Sequence, residues 1–172
     1  MSSPCASCAE KGTSCCTGTQ ILLTSGDVKR ITAVLLRNDY FHFEKADEDY
    51  LDPGDDPIWI RITIKSDGTR RVVKRSGERH CSLLGPAGCR LALEERPLVC
   101  RLYPVAYTTD WIDGIDPSCP IAHAARPDEL LNLIGTTRTD ARRWHRMLMN
   151  ELFSEYDDTV YCGNETTASP SD

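Results

Sequence analysis

The segment CASCAEKGTSCC, residues 5–16, puts four cysteines into twelve positions. The Cys5-x2-Cys8 spacing lets the backbone turn and aim both sulfurs at one ion. Cys15 and Cys16 are adjacent. Neighbours in an extended chain point to opposite faces, so the two reach one ion only through a turn, or else they serve two different sites. The intervening residues, Ser7, Glu10, Lys11, Gly12, Thr13 and Ser14, are mostly polar. Cysteine can pack as a small hydrophobe, but an apolar core is not built from such a segment. Metal ligation is the reading that its chemistry favours.

Working outward, residues 21–80 hold no cysteine, and four more follow as Cys81-x7-Cys89-x10-Cys100-x18-Cys119. Any site joining the two groups is therefore closed by the fold. The ninth, Cys162, stands alone near the tail and is expected to be a free thiol. Nine cysteines in 172 residues is below the density of small disulfide scaffolds. The start, Met1-Ser2-Ser3-Pro4-Cys5, has neither a basic nor an apolar stretch, so a cytoplasmic, reducing setting is expected. There, clustered cysteines hold metal more often than they form disulfides. With 40% hydrophobic and 27% charged residues and a net charge of −6, the chain is not disordered by composition. No run of 18 apolar residues occurs, so no membrane-spanning helix is expected.

The expected fold class is α+β: a small, cysteine-rich, metal-stapled domain with a β-hairpin and flanking helices. A helix is predicted over 24–38, with Thr24 as N-cap, Asp27 completing a capping box, and Val28, Ile31 and Leu35 on one face. Residues 44–56 are acidic and turn-rich and read as a loop. The hairpin is placed at 57–75: Ile58, Ile60, Ile62 and Ile64 alternate with Trp59, Arg61, Thr63 and Lys65, and Asp67-Gly68 supplies the turn. Residues 81–119 read as loop-rich, with a short helix at Leu91–Glu95 ending near Pro97. From Pro127, Leu130, Leu131 and Ile134 mark one helical stripe, and Ala141, Trp144, Leu148 and Leu152 another, with a break at Gly135-Thr136-Thr137. The domains are then a metal-binding unit at 1–122, a helical extension packed on it at 123–162, and a disordered tail at 163–172.

Cys5-x2-Cys8-x6-Cys15-Cys16, followed by Leu23, Thr24 and Asp27, resembles the YkgJ-like family of bacterial cysteine-cluster proteins labelled zinc- or iron-chelating. Gly88-Cys89-x6-Arg96-Pro97-x2-Cys100-Arg101-x-Tyr103-Pro104 is similar to that family's second signature, and Cys81 and Cys119 fit its other positions. The resemblance covers about residues 5–122. It implies eight ligands: Cys5, Cys8, Cys15, Cys16, Cys81, Cys89, Cys100 and Cys119. Eight thiolates complete two four-sulfur zinc sites, or four of them hold one [4Fe-4S] cluster. Thiolates serve both, so Zn2+ and iron stay open. Four thiolates on zinc carry a formal −2, which Arg96 and Arg101 are placed to offset. The role is structural, redox or metal-handling. Relatives that look like this cluster include flagellin lysine methylases, so an enzyme using an Fe–S cluster is the alternative, although no cofactor-binding segment is seen. A zinc-dependent nucleic-acid or protein interaction module is a third reading.

Other features read more plainly. Arg61, Lys65, Arg70, Arg71, Lys74, Arg75 and Arg79 make a basic ribbon against Asp67 and Glu78. Nucleic-acid binding is disfavoured by the sequence pI of about 5.2, and a solvated face balanced by the acidic loop is the simpler reading. That loop lacks the glycine and terminal glutamate of an EF-hand at the required spacing. His80 and His123 lie near cysteines and are secondary ligand candidates, while His145 reads as a surface or packing residue. No GxGxxG or P-loop motif occurs. Metal ions are the expected partners, with a protein partner as a further option.

Overall fold

Helix α1, Ser25–Leu35, starts as its capping box predicts. The computed structural model describes residues 7–8, 11, 15–52, 54, 56–77 and 80–164, with side chains as far as Asp157. Thr24 Oγ1 accepts from the Asp27 N–H at 2.9 Å, and the Asp27 carboxylate accepts from the Thr24 N–H at 3.2 Å. The helix stops at Leu35, three residues before the predicted end, because Leu36 turns left-handed at φ 54°. Ile31 is fully buried, with Val28 and Leu35 packed beside it.

Strand β1, Phe41–Lys45, pairs antiparallel with β2, Thr69–Val73, from Phe41↔Val73 to Lys45↔Thr69. The far edge of β2 is covered by the segment after the first cysteines. The Leu23 N–H donates to Arg71 O and the Val73 N–H to Ile21 O, each at 3.0 Å. The chain leaving Cys15 and Cys16 is thereby fixed against the sheet, and β2 is paired on both sides.

The predicted Ile58–Lys65 strand is instead helix α2, Pro57–Thr63. Asp56 caps it, accepting from the Trp59 N–H at 3.1 Å. Pro57 occupies the first turn, where its missing N–H costs nothing. Trp59 and Ile62, three apart, face the core, whereas Ile58 is 39% exposed. Helical spacing won over the period-two pattern. The Asp67-Gly68 turn does form, with the Gly68 N–H on Lys65 O at 2.8 Å and Gly68 at φ 76°. It leads from α2 into β2, whose partner comes from residues assigned partly to the acidic loop. That loop begins only after Lys45 and carries a 3-10 turn at Glu48–Tyr50.

The stretch 75–119 is more ordered than predicted. It holds β3 (Arg75–Ser76) on β4 (His80–Cys81), β5 (Leu84–Gly85) on β6 (Gly88–Cys89), a 3-10 turn at Leu93–Glu95, helix α3 (Leu98–Leu102), and β7 (Val105–Tyr107) on β8 (Ile112–Ile115). Helices α4 (Pro127–Leu133) and α5 (Arg138–Asn164) follow, separated near Gly135 as predicted. The backbone of α5 takes in Gly163, and the tail from 165 lies outside the described residues.

Two apolar clusters result. One joins Leu98 and Leu102 of α3 to Trp144, Leu148 and Leu152 of α5, with Leu131 and Ile62. The other joins Leu23, Ile31, Tyr40, Val73, Leu83 and Leu91, and includes Cys81. Val99 of α3 packs against both. Helix α3 is thus the seam between a helical half and a cysteine half.

Glu151 of α5 ties α1 to this helical half, bonding Thr24 Oγ1 and the Arg30 guanidinium. Burial pushes the Glu151 carboxyl up, but Arg30 and Thr24 overcome it and hold the group below its ordinary value of 4.5. A carboxyl held low in the fold stabilises above the unfolded value, and that stability is lost as pH falls through the folded one. Glu151→Gln is therefore expected to cost about 1–3 kcal/mol at neutral pH. It should also flatten the loss of stability below about pH 4.5. Urea melts of both proteins at pH 7, 5 and 4 check this.

Candidate metal centre

Four cysteines converge from four separate pieces of chain. Cys16 reaches Cys81 through the backbone: the Cys81 N–H donates to Cys16 O at 2.8 Å. Cys81 ends β4. Cys89 ends β6 opposite Leu84, after a two-residue turn that Gly88 enters at φ 101°. Side-chain residues avoid that φ, so glycine is needed there. Cys100 sits in α3, which follows Pro97 directly.

Each thiol feels the others. Burial pushes Cys81 up to about 12, and charge on Cys16 or Cys89 would push it further. Burial also raises Cys89, with Cys16 adding to the effect. It also raises Cys100, with Cys81, Cys16 and Cys89 contributing. Without a cation, burial favours the thiol form of Cys81, Cys89 and Cys100, and a bound metal inverts that logic by favouring thiolate. Local donors are set for thiolates. Cys81 accepts from the Leu83 and Leu84 N–H groups, and Cys89 from the Leu91 N–H and the Arg96 side chain.

The remaining described cysteines line the same cavity as these four. Cys119 is hydrogen-bonded to the Tyr103 hydroxyl, and Cys15 lies close enough to add to the upward push on that tyrosine, which burial dominates. Cys8 joins Cys15, Cys16, Cys81, Cys89, Cys100 and Cys119 in lining one cavity of about 100 Å³. Cys15 and Cys16, though adjacent, thus act on different neighbours, Cys15 on Tyr103 and Cys16 on Cys81, Cys89 and Cys100. Cys5 lies outside the described residues, as does the side chain of Cys162.

Among the described residues, no three His, Cys, Asp or Glu side chains stand already arranged to hold an ion, and no disulfide is formed. The donor set nonetheless fits a thiophilic metal. The cavity is also lined by two buried polar groups with an orphaned atom each, Arg101 Nη2 and Thr136 Oγ1. Arg101 is 3% exposed, its Nε donates to Arg96 O at 2.7 Å, and its Nη1 pairs with Glu94 at 3.2 Å. A cationic donor held beside buried sulfurs suits a centre of negative charge. Arg96 and Arg101 both line this cavity, and Thr136 went unnoticed because an isolated threonine carries no signal.

The secondary candidates are placed elsewhere. Neither His80 nor His123 lines the cysteine cavity, and buried His145 bonds Thr108 O at 2.8 Å. Much of the basic ribbon is engaged: Arg71 with Glu155 at 2.9 Å, Arg75 with Glu44 at 2.8 Å, and Arg61 with Tyr156. Lys65 lies over the Phe43 ring at 3.7 Å, and Arg70 is 2% exposed. Arg79 lies outside the described residues. No helix among them is long and apolar enough to cross a membrane.

A family model described as CxxCxxCC, "Putative zinc- or iron-chelating domain", matches residues 4–120. No curated protein and no solved structure matches the chain.

Proposed function

Because the chain belongs to the CxxCxxCC family of zinc- or iron-chelating domains, we propose that it is a thiolate metal-binding protein with two adjoining sites. Cys16, Cys81, Cys89 and Cys100 form the first. Cys8, Cys15 and Cys119 form the second, with Cys5 as its fourth ligand. The observation that carries this reading is the convergence of seven cysteines from distant segments on one cavity. Cys16, Cys81 and Cys89 all lie close enough to act on Cys100, and Cys15 and Cys119 both act on Tyr103, which supports two groups. Four sulfurs per site fit tetrahedral zinc, and a filled zinc site of this kind holds segments together without reacting. The primary role is therefore structural. A reducing cytoplasm keeps the ligands as thiols.

Elemental analysis of protein purified without oxygen tests this. About two zinc ions per chain are expected, falling to about one in Cys16→Ser/Cys89→Ser, with the other site retained. Four irons with matching sulfide and a visible absorption would instead assign an Fe–S cluster. Metal-free protein with a native fold would remove the proposal.

A further inference from the structure

Beside the cysteine cavity lies a larger one of about 760 Å³, and the two share Cys15, Ile21, Cys100, Tyr103 and Pro120 as a common wall. That volume is typical of a small-molecule site. Into its wall β2 sends Arg70. Alternation along the strand turns Arg70 and Val72 inward and leaves Thr69 and Arg71 half-buried on the other face. A charged residue thus stands where the pattern calls for a core side chain.

Arg70 is 2% exposed, and its Nε and Nη1 are buried without a hydrogen-bond partner. No ion pair reaches it among the described residues. Glu44 is committed to Arg75, Gln20 and His42, and Asp47 lies by Arg75 at 3.6 Å. What holds the guanidinium is the Tyr50 ring, 4.1 Å from centroid to carbon. A ring face fixes the plane of the fork and leaves its edge N–H groups unanswered. Buried charges are ordinarily paired, so this one points to an anion.

We propose that the cavity binds a small monocarboxylate with an apolar or aromatic body, its carboxylate on Arg70 and its body against Trp59 and Tyr107. The planar fork of arginine matches a carboxylate with two parallel hydrogen bonds. Charge selects against phosphate. Asp56 and Asp116 line the same cavity, so a dianion would meet one cation and two carboxylates. Asp56 is itself occupied, accepting from the Thr109 and Trp59 N–H groups. The site needs no metal, but its shared wall puts the bound molecule next to Cys15 and Cys100.

The test titrates the protein as purified with benzoate, benzamide and inorganic phosphate by calorimetry. Metal content is measured on every sample, so that failure here is distinct from failure of the metal reading. Benzoate should bind saturably and release about 10- to 100-fold more readily from Arg70→Met. Arg70→Lys should fall between, because it keeps the charge and loses the fork. Benzamide and phosphate should bind at least about tenfold more weakly than benzoate. If Arg70→Met does not fold, the lysine variant and the two competitor ligands still decide. No saturable benzoate binding, equal binding by the lysine variant, or a preference for phosphate would overturn the proposal.

Discussion

Removing metal under reducing, anaerobic conditions is expected to unfold the cysteine half of the protein and to spare most of the helical half. The strands β3, β4, β5 and β6 have two residues each, too few to be stable alone. What they pack on is small, and Cys81 is itself part of that core. With the metal gone, buried thiols replace the proposed cross-links between residues 16, 81, 89 and 100, and only short strand pairs, a few backbone bonds and a small apolar cluster are left to hold those pieces in register. Apparent binding energies for structural zinc are about 10–16 kcal/mol per ion. Whole-domain stabilities are only about 5–15 kcal/mol. The cross-links therefore decide whether this half folds. The cluster of Leu98, Leu102, Leu131, Trp144, Leu148 and Leu152 contains no cysteine, so α4 and α5 should persist. Hydrogen exchange and limited proteolysis should show residues 76–96 opening while α5 stays protected, and circular dichroism should keep much of its helical signal. Unchanged protease resistance after complete metal removal would contradict the expectation.

The gathering of the cysteines on one cavity was legible in the sequence because cysteine spacing and polar context survive without knowing the fold. The caps were legible for a similar reason: Thr24 with Asp27, and the break at Gly135, are local signals with local causes. The placement of β1 was not. Residues 41–45 alternate only briefly, Phe41 and Phe43 with His42 and Glu44, and pairing with β2 on one side makes them a strand. The isoleucines at 58, 60, 62 and 64 misled because alternation was read without its start signal, Asp56-Pro57, which is a cap followed by a first-turn proline. Arg70 was hidden among six other cations. Charge alone does not say which one the strand turns inward, and the cavity it lines is assembled from segments between Cys15 and Pro120.

Asp27→Ala is expected to be the most damaging single substitution away from the cysteines, costing about 3–5 kcal/mol and loosening metal at the first site. Asp27 is 1% exposed. Its carboxylate accepts from the Thr24 N–H, from Arg30 at 2.8 Å, and from the Leu98 N–H at 3.1 and 3.3 Å. The last bond crosses the molecule. Leu98 opens α3, and its N-cap, Pro97, has no side chain that can accept from the helix. A residue 71 positions away therefore caps the helix that carries Cys100 and Arg101. Negative charge at that end also suits the helix dipole. Burial opposes the charge and raises the carboxyl above its ordinary 3.8, while Arg30 and the Thr24 N–H pull it back. Alanine leaves the two buried N–H groups without an acceptor and leaves Arg30 with Glu151 alone, and each buried orphan costs about 1–3 kcal/mol. Asp27→Asn keeps one oxygen acceptor but turns an amide toward these donors, so it should lose less. The expected order of urea midpoints is wild type, Asp27→Asn, Asp27→Ala, with zinc release by a competing chelator following the same order. Retained metal affinity in a destabilised Asp27→Ala would show that the cap serves the fold and not the position of Cys100. A loss below about 1 kcal/mol would show that α3 holds its place through its two apolar neighbours alone.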